Sequence, residues 1–148
     1  MPTKKNKLSE KIQDLHRAAV QAKKFSYSPY SNFQVGAALL TKDNEVIIGT
    51  NIENASFGAT NCAERTAILK AVSEAATQFT DLVIVTDAKS VTPPCAQCLQ
   101  MMAEFFSNDT NIWLGNSKKI RQHFKFKELL PQRFGPKDLG HPALYEQK

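Results

Sequence analysis

The 148-residue sequence contains only three cysteines, Cys62, Cys95 and Cys98. An odd number of cysteines cannot all form internal disulfides, and residues 1–10 lack an apolar core of signal-peptide length. These two absences favour a reducing, cytoplasmic location, where cysteine serves in metal binding, catalysis or packing. A chain of this length buries roughly 68–70% of its unfolded surface, so a single domain does not need disulfides to fold.

Acidic residues are fewer than basic ones, 14 against 19, which gives a formal net charge of +5. Clustered cations are typical of surfaces that bind phosphate groups. Here the lysines and arginines lie in separate segments with few aromatic residues between them. This distribution favours a solvated surface over a groove for nucleic acid. Neither a nucleic acid nor a membrane is therefore predicted as a partner.

Apolar periodicity predicts helices and strands within a single domain over residues 1–148, with flexible tails at residues 1–7 and 140–148. An amphipathic helix is expected at residues 8–24, followed by a β-hairpin over residues 33–50. Two more helices are expected to begin near Cys62 and Cys95, and further strands at residues 82–85, 111–115 and 120–126. This order predicts an α/β fold around a mixed five-stranded sheet.

The three cysteines lie in two short stretches at the starts of the two later helices. Cys95 and Cys98 form a C-x-x-C pair, whose spacing allows both sulfurs to bind one metal ion. Cys62 comes from the other helix start, where unpaired amides and the helix dipole stabilise a thiolate. Helix starts of this kind lie at the carboxyl ends of strands, where α/β folds form their sites. Three protein ligands with an open fourth position are typical of catalytic zinc.

Glu64 is the candidate proton carrier because it lies two residues after Cys62. Two residues are about 200° apart on an ideal helix, so Glu64 cannot share the face of Cys62. At the mouth of the helix it can still reach the open side of the metal. Simpler interpretations remain: a C-x-x-C pair is also typical of redox centres or buried thiols, and a first-turn glutamate also stabilises the helix dipole.

Several longer motifs resemble those of the homotetrameric, zinc-dependent cytidine deaminases. They are C-A-E-R-T-A at residues 62–67 and P-C-x-x-C at residues 94–98, with further matches at residues 27–39, 51–55 and 129–139. The resemblance covers nearly all of residues 8–139 and implies a three-layer α/β/α domain. It also implies hydrolytic deamination of cytidine and 2′-deoxycytidine to uridine and 2′-deoxyuridine, with release of ammonia, as in pyrimidine salvage.

The resemblance also implies roles for individual residues. Cys62, Cys95 and Cys98 would hold one Zn²⁺ per chain, which activates a water, and Glu64 would carry its proton to the base. A homotetramer with active sites shared between subunits is implied as well. The residues to which the resemblance gives contacts with the substrate are Phe33 beside the base, Asn51 and Glu53 on the ribose hydroxyls, Ala63, and Phe57 and Phe134, contributed by a neighbouring subunit.

Two residues depart from the family pattern. Leu99 follows the last predicted ligand, where the family usually has arginine, and Phe57 stands where tyrosine is frequent. Three thiolates around Zn²⁺ carry a net charge of minus one, and Arg65 remains to offset it. Because the cation expected at position 99 is missing, the sulfurs should donate more charge to the metal and make its water less acidic. A modestly altered pH optimum is therefore expected.

Two alternative functions remain open. A related family deaminates a cytosine-containing nucleoside antibiotic with the same zinc motifs, although the N-I-E-N run at residues 51–54 and the segment around Phe134 favour a ribonucleoside. The chain could also be a binding module whose zinc is purely structural. That function needs a fourth protein ligand, and His16, His123 and His141 do not lie beside the cysteines in the sequence.

Overall fold

A five-stranded mixed sheet forms the centre of the computed structural model, which describes residues 8–146. Its strands are β1 (Val35–Thr41), β2 (Val46–Thr50), β3 (Phe79–Thr86), β4 (Asn111–Gly115) and β5 (Ile120–Lys125). They lie in the order β2-β1-β3-β4-β5. Strands β3 and β4 are parallel, and the other three neighbouring pairs are antiparallel. The predicted mixed sheet is therefore confirmed.

Helices cover both faces of this sheet. They are α1 (Glu10–Lys23), α2 (Ala63–Ser73), α3 (Ala96–Phe105) and the short α4 (Phe126–Leu129). The apolar side of α1, with Leu15 and Ala19, packs on one face of the sheet, whereas Ile68 of α2 and Met102 of α3 pack on the other. The three-layer α/β/α architecture agrees with the prediction. In the described part of the chain, no helix is long and apolar enough to cross a bilayer.

The two central strands are buried on both faces because a helical layer lies on each side. In β1, Ala37 and Leu39 belong to the cluster under α2 and α3, while Ala38 and Leu40 belong to the cluster under α1. The continuously apolar β3 predicts a strand within a parallel sheet, but β3 has one antiparallel neighbour, β1, and one parallel neighbour, β4. Continuous hydrophobicity reports burial on both faces and does not determine strand direction.

The end of β5 differs from the sequence prediction. Alternating apolar residues predict Phe126 as part of this strand, but Phe126 begins α4. Its amide donates to the carbonyl of Thr110 at 2.9 Å, which lies outside the β4–β5 ladder. Its ring is fully buried in an edge-on contact with Phe106, with the two centroids 5.7 Å apart. Because a buried phenylalanine fits either a strand or a helix, the apolar pattern alone does not decide the conformation of Phe126.

Residues 140–146, which were expected to form a flexible tail, have defined contacts. Ala143 is fully buried, and the side-chain amide of Gln78 donates to the carbonyl of Leu144 at 3.3 Å. Lys137 forms an ion pair with Glu146 at 2.6 Å. The mobility of this segment stays a prediction. The remainder of the two predicted tails, residues 1–7 and 147–148, lies outside the described residues.

Gly49 in β2 lies close against the first turn of α2, and it provides a test of this packing. A methyl group at Gly49 would lie 2.5 Å from both the carbonyl oxygen of Ala63 and the amide nitrogen of Ala67. We predict that Gly49→Ala destabilises the fold by about 3 kcal/mol, because the first turn of α2 must move. Thermal denaturation measures the loss. Gly58→Ala is the control, since no described atom beyond Gly58 and its two chain neighbours lies within 4 Å of the added carbon. Equal losses in Tm would contradict the prediction.

Candidate zinc and substrate site

The three cysteines meet at the amino ends of α2 and α3. Cys62 is the N-cap of α2, Cys95 is the N-cap of α3, and Cys98 lies in the first turn of α3. The sulfur atoms of Cys62 and Cys95 are 3.9 Å apart, and those of Cys95 and Cys98 are 3.5 Å apart. All three sulfurs lie within 4.8 Å of one another. Two helices far apart in sequence thus bring their first residues to one point.

The dimensions of this cluster fit tetrahedral zinc. With Zn–S bonds of about 2.3 Å, two sulfurs of a tetrahedron lie about 3.8 Å apart, close to the measured separations. Within residues 8–146, no histidine, aspartate or glutamate joins the group as a fourth ligand. Cys98 is buried and Cys95 is exposed, so the cluster is open to solvent on one side. A donor set of three thiolates suits zinc, and the open side is where a fourth, exchangeable ligand would bind.

Arg65 places its guanidinium beside the cluster. Its Nη2 atom lies 3.6 Å from the sulfur of Cys62 and donates to the carbonyl of Thr60 at 3.2 Å. The hydrogen bond with the Cys98 thiol, followed by the contacts with Arg65, holds the pKa of Cys62 well below its usual range. The interaction with Cys62, together with burial, raises the pKa of Cys98. The position of Arg65 suits the predicted offset of thiolate charge, which stays a prediction.

Leu99 contributes an apolar contact beside the cluster. Its half-buried side chain packs against the apolar core between the sheet and helices α2 and α3. Its amide donates to the carbonyl of Cys95 at 3.0 Å, as the helical backbone requires. The residue therefore adds packing at the position where the resemblance predicts a cation. Its expected effect on the pH optimum stays a prediction.

Glu64 lies in the same cleft as the cysteines. It is the second residue of α2, is only 6% exposed, and lines the cleft together with Cys62 and Cys95. Burial is the main reason why the pKa of Glu64 is raised to about 7. The expected 200° separation from Cys62 applies to two residues inside a helix. Because Cys62 is an N-cap with extended backbone angles, both side chains reach the cleft.

The cleft beside Glu64 has the size of a site for one small molecule. Its volume is about 270 Å³, near the lower end of the usual range of about 300–1,000 Å³ for small-molecule sites. Val35, Ile84 and Thr86 line it at the carboxyl end of β3, where Val35 is paired with Thr86. The residues predicted from the sequence that also line this cleft are Phe33, Asn51, Glu53, Cys62, Glu64 and Cys95.

Asn51 connects the cleft to the start of β1. Its side-chain oxygen accepts a hydrogen bond from the amide of Val35 at 3.0 Å, and its side-chain nitrogen donates to the carbonyl of Phe33 at 2.7 Å. The next residue, Ile52, exchanges two backbone hydrogen bonds with Asn61, of 2.9 and 3.0 Å. Asn61 directly precedes the first cysteine of the cluster. The segment predicted to bind ribose is thus held at a fixed distance from the metal site.

Three of the predicted substrate contacts do not line the cleft. Phe57 is 76% exposed and lies near its rim, with its ring 6.0 Å from the ring of Tyr30. Phe134 is 58% exposed and lies beside Gln100, which donates to its carbonyl at 2.9 Å. Ala63 is fully buried as the first residue of α2. The exposure of both phenylalanines suits the predicted contribution to a neighbouring subunit, which stays a prediction.

The sequence predicts no role for four hydroxyl residues that line the cleft, Ser31, Thr60, Thr86 and Thr92. Three of them stand at informative positions. Ser31 belongs to the motif at residues 27–39, Thr92 precedes the Pro-Pro pair, and Thr86 ends a buried strand, where sites in α/β folds form. Position could therefore have drawn attention to them, but the direction of a hydroxyl cannot be read from spacing.

A comparison with protein-family models identifies the family. Residues 9–113, which include all three cysteines and Glu64, match the cytidine and deoxycytidylate deaminase zinc-binding region. The chain belongs to the cytidine deaminase family. A curated cytidine deaminase of Halalkalibacterium halodurans is 50% identical over 128 residues, covering 86% of this chain and 97% of that protein. A second one, of Sporosarcina psychrophila, is 39% identical over 132 residues, covering 89% and 97%.

Solved cytidine deaminase structures have the same fold. The enzyme of Burkholderia pseudomallei superposes with a TM-score of 0.78 at 38% identity, covering 82% of this chain and 98% of that one. The enzyme of Mycobacterium tuberculosis gives 0.70 at 34% identity, covering 84% and 97%. These similarities confirm the predicted family and α/β fold. The three-cysteine cluster fits the zinc site of the family, which confirms zinc as the predicted cofactor.

Proposed function

We propose that this member of the cytidine deaminase family hydrolyses free cytidine and 2′-deoxycytidine to uridine and 2′-deoxyuridine, with release of ammonia. The observation that carries the proposal is the geometry of one cleft, where three sulfurs within 4.8 Å of one another lie beside a buried glutamate. Relatives that are 39% and 50% identical over most of the chain are named cytidine deaminases. The enzyme is accordingly a hydrolase acting on a C–N bond of a nucleoside.

In the proposed reaction, Glu64 moves the protons. Cys62, Cys95 and Cys98 would hold a Zn²⁺ ion, which when bound would lower the pKa of a water to about 7. Glu64 accepts a proton from the attacking water, delivers it to N3 of the base, and assists the departure of the amine from C4 as ammonia. One C–O bond forms and one C–N bond breaks, so one water is consumed for each ammonia released. The low exposure of Glu64 limits proton exchange with bulk solvent during these transfers.

The remainder of the cleft binds and orients the nucleoside. Phe33 lies beside the base, and Asn51 and Glu53 hydrogen-bond the ribose hydroxyls. Asn51 is buried and is fixed by its bonds to the start of β1, so its position does not depend on the ligand. Fixed polar groups orient a ligand at a lower entropic cost than mobile ones. A cleft of about 270 Å³ suits a single nucleoside better than a polynucleotide.

The proposal also includes a homotetramer in which a neighbouring subunit contributes Phe57 and Phe134 to each cleft. Both rings are largely exposed, as are Phe25 (77%) and Tyr27 (55%), and exposed aromatic residues in such number are typical of interaction surfaces. We predict a solution mass of about four times the 16.5 kDa chain, measured by size exclusion with light scattering. A fully active monomer would contradict the shared site.

We also infer a cytoplasmic enzyme of pyrimidine salvage, which agrees with the three free cysteines.

The experiment that tests this function compares four substrates with purified, zinc-loaded protein. Cytidine, 2′-deoxycytidine, free cytosine and a single-stranded oligodeoxycytidylate are incubated separately, and loss of cytosine absorbance and release of ammonia are followed. Turnover of the two nucleosides, without turnover of the oligonucleotide, is the expected result. One zinc per chain without turnover of any nucleoside would instead support a structural zinc. Deamination of the oligonucleotide alone would contradict the assignment of a free nucleoside.

A further inference from the structure

The carboxylate of Glu53 is held by three donors from a single turn. Its Oε1 atom accepts hydrogen bonds from the backbone amides of Tyr30 at 3.0 Å and Ser31 at 3.1 Å. Its Oε2 atom accepts the hydroxyl proton of Ser31. Ser31 therefore supplies two of the three donors, one from its backbone and one from its side chain. Both Ser31 and Glu53 line the cleft that contains Glu64.

The same hydroxyl is also connected to the residue beside the base. While the hydroxyl of Ser31 donates to Glu53, its oxygen accepts a hydrogen bond from the amide of Phe33 at 3.0 Å. The turn that carries Ser31 is closed by a bond of 3.0 Å from the amide of Asn32 to the carbonyl of Ser28. Asn32 adopts a φ of 56°, a left-handed conformation that asparagine tolerates better than most residues. One side chain thus couples the carboxylate to the start of the base-binding segment.

The occupied hydrogen-bonding sites of Glu53 leave room for one more donor. An ionised carboxylate offers about four acceptor sites, of which this turn fills three. The hydroxyl of Ser31, with help from the two amides, holds the pKa of Glu53 below its usual range, so the group is ionised at neutral pH. An ionised carboxylate is acceptor-only. The remaining site therefore suits one hydroxyl donor of a ligand and offers nothing to a sugar without hydroxyls.

We propose that Ser31 is a positioning residue, which orients Glu53 so that the site selects nucleosides whose sugar carries a hydroxyl within reach of that carboxylate. This inference rests on the proposed nucleoside deaminase function. Without the hydroxyl of Ser31, the carboxylate keeps only its two backbone donors, both on Oε1. The carboxylate can then pivot about Oε1, so Oε2 and the acceptor site that faces the ligand are no longer fixed.

We predict that Ser31→Ala raises the KM for cytidine about tenfold while kcat changes less than about twofold, since one oriented, charge-assisted hydrogen bond is affected and the metal side of the cleft is not. The analogue 2′,3′-dideoxycytidine lacks the 2′- and 3′-hydroxyls of the sugar, so its KM should remain unchanged. Ser31→Thr, which retains a hydroxyl, should restore most of the affinity for cytidine. Steady-state kinetics of both nucleosides measure all three effects.

Ser28→Ala is the matched control for the fold of the turn. Ser28 lies in the same turn, but its hydroxyl accepts from Ser26 and does not contact Glu53. This variant should leave both KM values unchanged. An equal rise in KM for cytidine and its dideoxy analogue in Ser31→Ala would show a merely structural effect and overturn the proposal. No change for cytidine would overturn it as well.

Binding measurements separate this inference from the proposed function. Calorimetric titration of cytidine and 2′,3′-dideoxycytidine into the zinc-loaded Glu64→Gln variant, with and without Ser31→Ala, gives the same comparison without turnover. Tighter binding of cytidine, lost on Ser31→Ala, supports the role of Ser31 even if the natural chain proves to be inactive. Equal binding of both nucleosides to the Glu64→Gln variant contradicts the role of Ser31, whatever the natural chain turns over.

Discussion

Glu64→Gln is expected to lower kcat for cytidine by about 10²–10⁴-fold, the usual contribution of a general acid–base group. Glutamine has the size and shape of glutamate and can occupy the same buried position, but its amide cannot accept and return a proton. Zinc content should remain at one per chain, since Glu64 lies outside the group of three sulfurs. Steady-state kinetics and metal analysis on the same preparation measure the two effects.

The matched control for this substitution is Glu45→Gln, which removes the same charge from an exposed position in the hairpin between β1 and β2. Its kcat and zinc content should equal those of the natural chain. A loss of less than about tenfold in Glu64→Gln would remove Glu64 from the proton transfers. A large loss accompanied by loss of zinc would show that Glu64 acts by supporting the metal site.

Cys95→Ser and Cys98→Ser are each expected to weaken zinc binding by more than about 100-fold and to abolish turnover. A serine hydroxyl is a much poorer zinc donor than a thiolate, and two sulfurs cannot replace three. The two variants should differ in stability, because Cys98 is fully buried and Cys95 is exposed. A serine at position 98 carries a buried hydroxyl into an apolar cluster, at a cost of about 1–3 kcal/mol if it finds no partner.

Thermal unfolding in the presence of a chelator measures this difference without the contribution of the metal. In metal-free protein, Cys98→Ser should unfold at a lower temperature than the natural chain, whereas Cys95→Ser should unfold close to it. With zinc present, both variants should lose the stabilisation that metal binding gives the natural chain. Retention of one tightly bound zinc in either variant would contradict the ligand assignment.

The position of the cluster at two helix ends also affects how its negative charge is balanced. Three thiolates that held Zn²⁺ would carry a net charge of minus one, and Leu99 supplies no cation. The amino ends of α2 and α3 both meet the sulfurs, and each helix end is equivalent to roughly half a positive charge. Arg65 adds its guanidinium 3.6 Å from Cys62. We therefore expect the two helix ends and Arg65 to offset part of the negative charge of a zinc-bound cluster.

The sequence predicts which residues form this site more completely than how their side chains are oriented. The spacing of Cys95 and Cys98 and the helix start at Cys62 predict a common metal cluster, because short spacing and helix ends constrain where side chains lie. The backbone of Cys62 could not be predicted in the same way. Whether it begins the helix or caps it depends on local backbone angles, and these decide that Glu64 shares its cleft.

Long-range contacts explain the other differences. Phe126 fits a strand by alternation, but its amide bonds to Thr110 and its ring packs on Phe106, and neither contact is encoded in local pattern. Ala143 lies in a short polar segment whose burial depends on a distant surface of the fold. The hydroxyl of Ser31 contacts Glu53 from 22 residues away. Such contacts form only when the whole fold brings the segments together.

The measurement that tests the account most directly is a titration of zinc into metal-free protein, with kcat for cytidine measured at each step. For the natural chain, activity should rise in proportion to bound zinc and reach its maximum at one zinc per chain. The Glu64→Gln variant should bind the same amount of zinc and remain at least about 10²-fold less active throughout. Full turnover by metal-free natural protein, or by the zinc-loaded Glu64→Gln variant, would contradict the account.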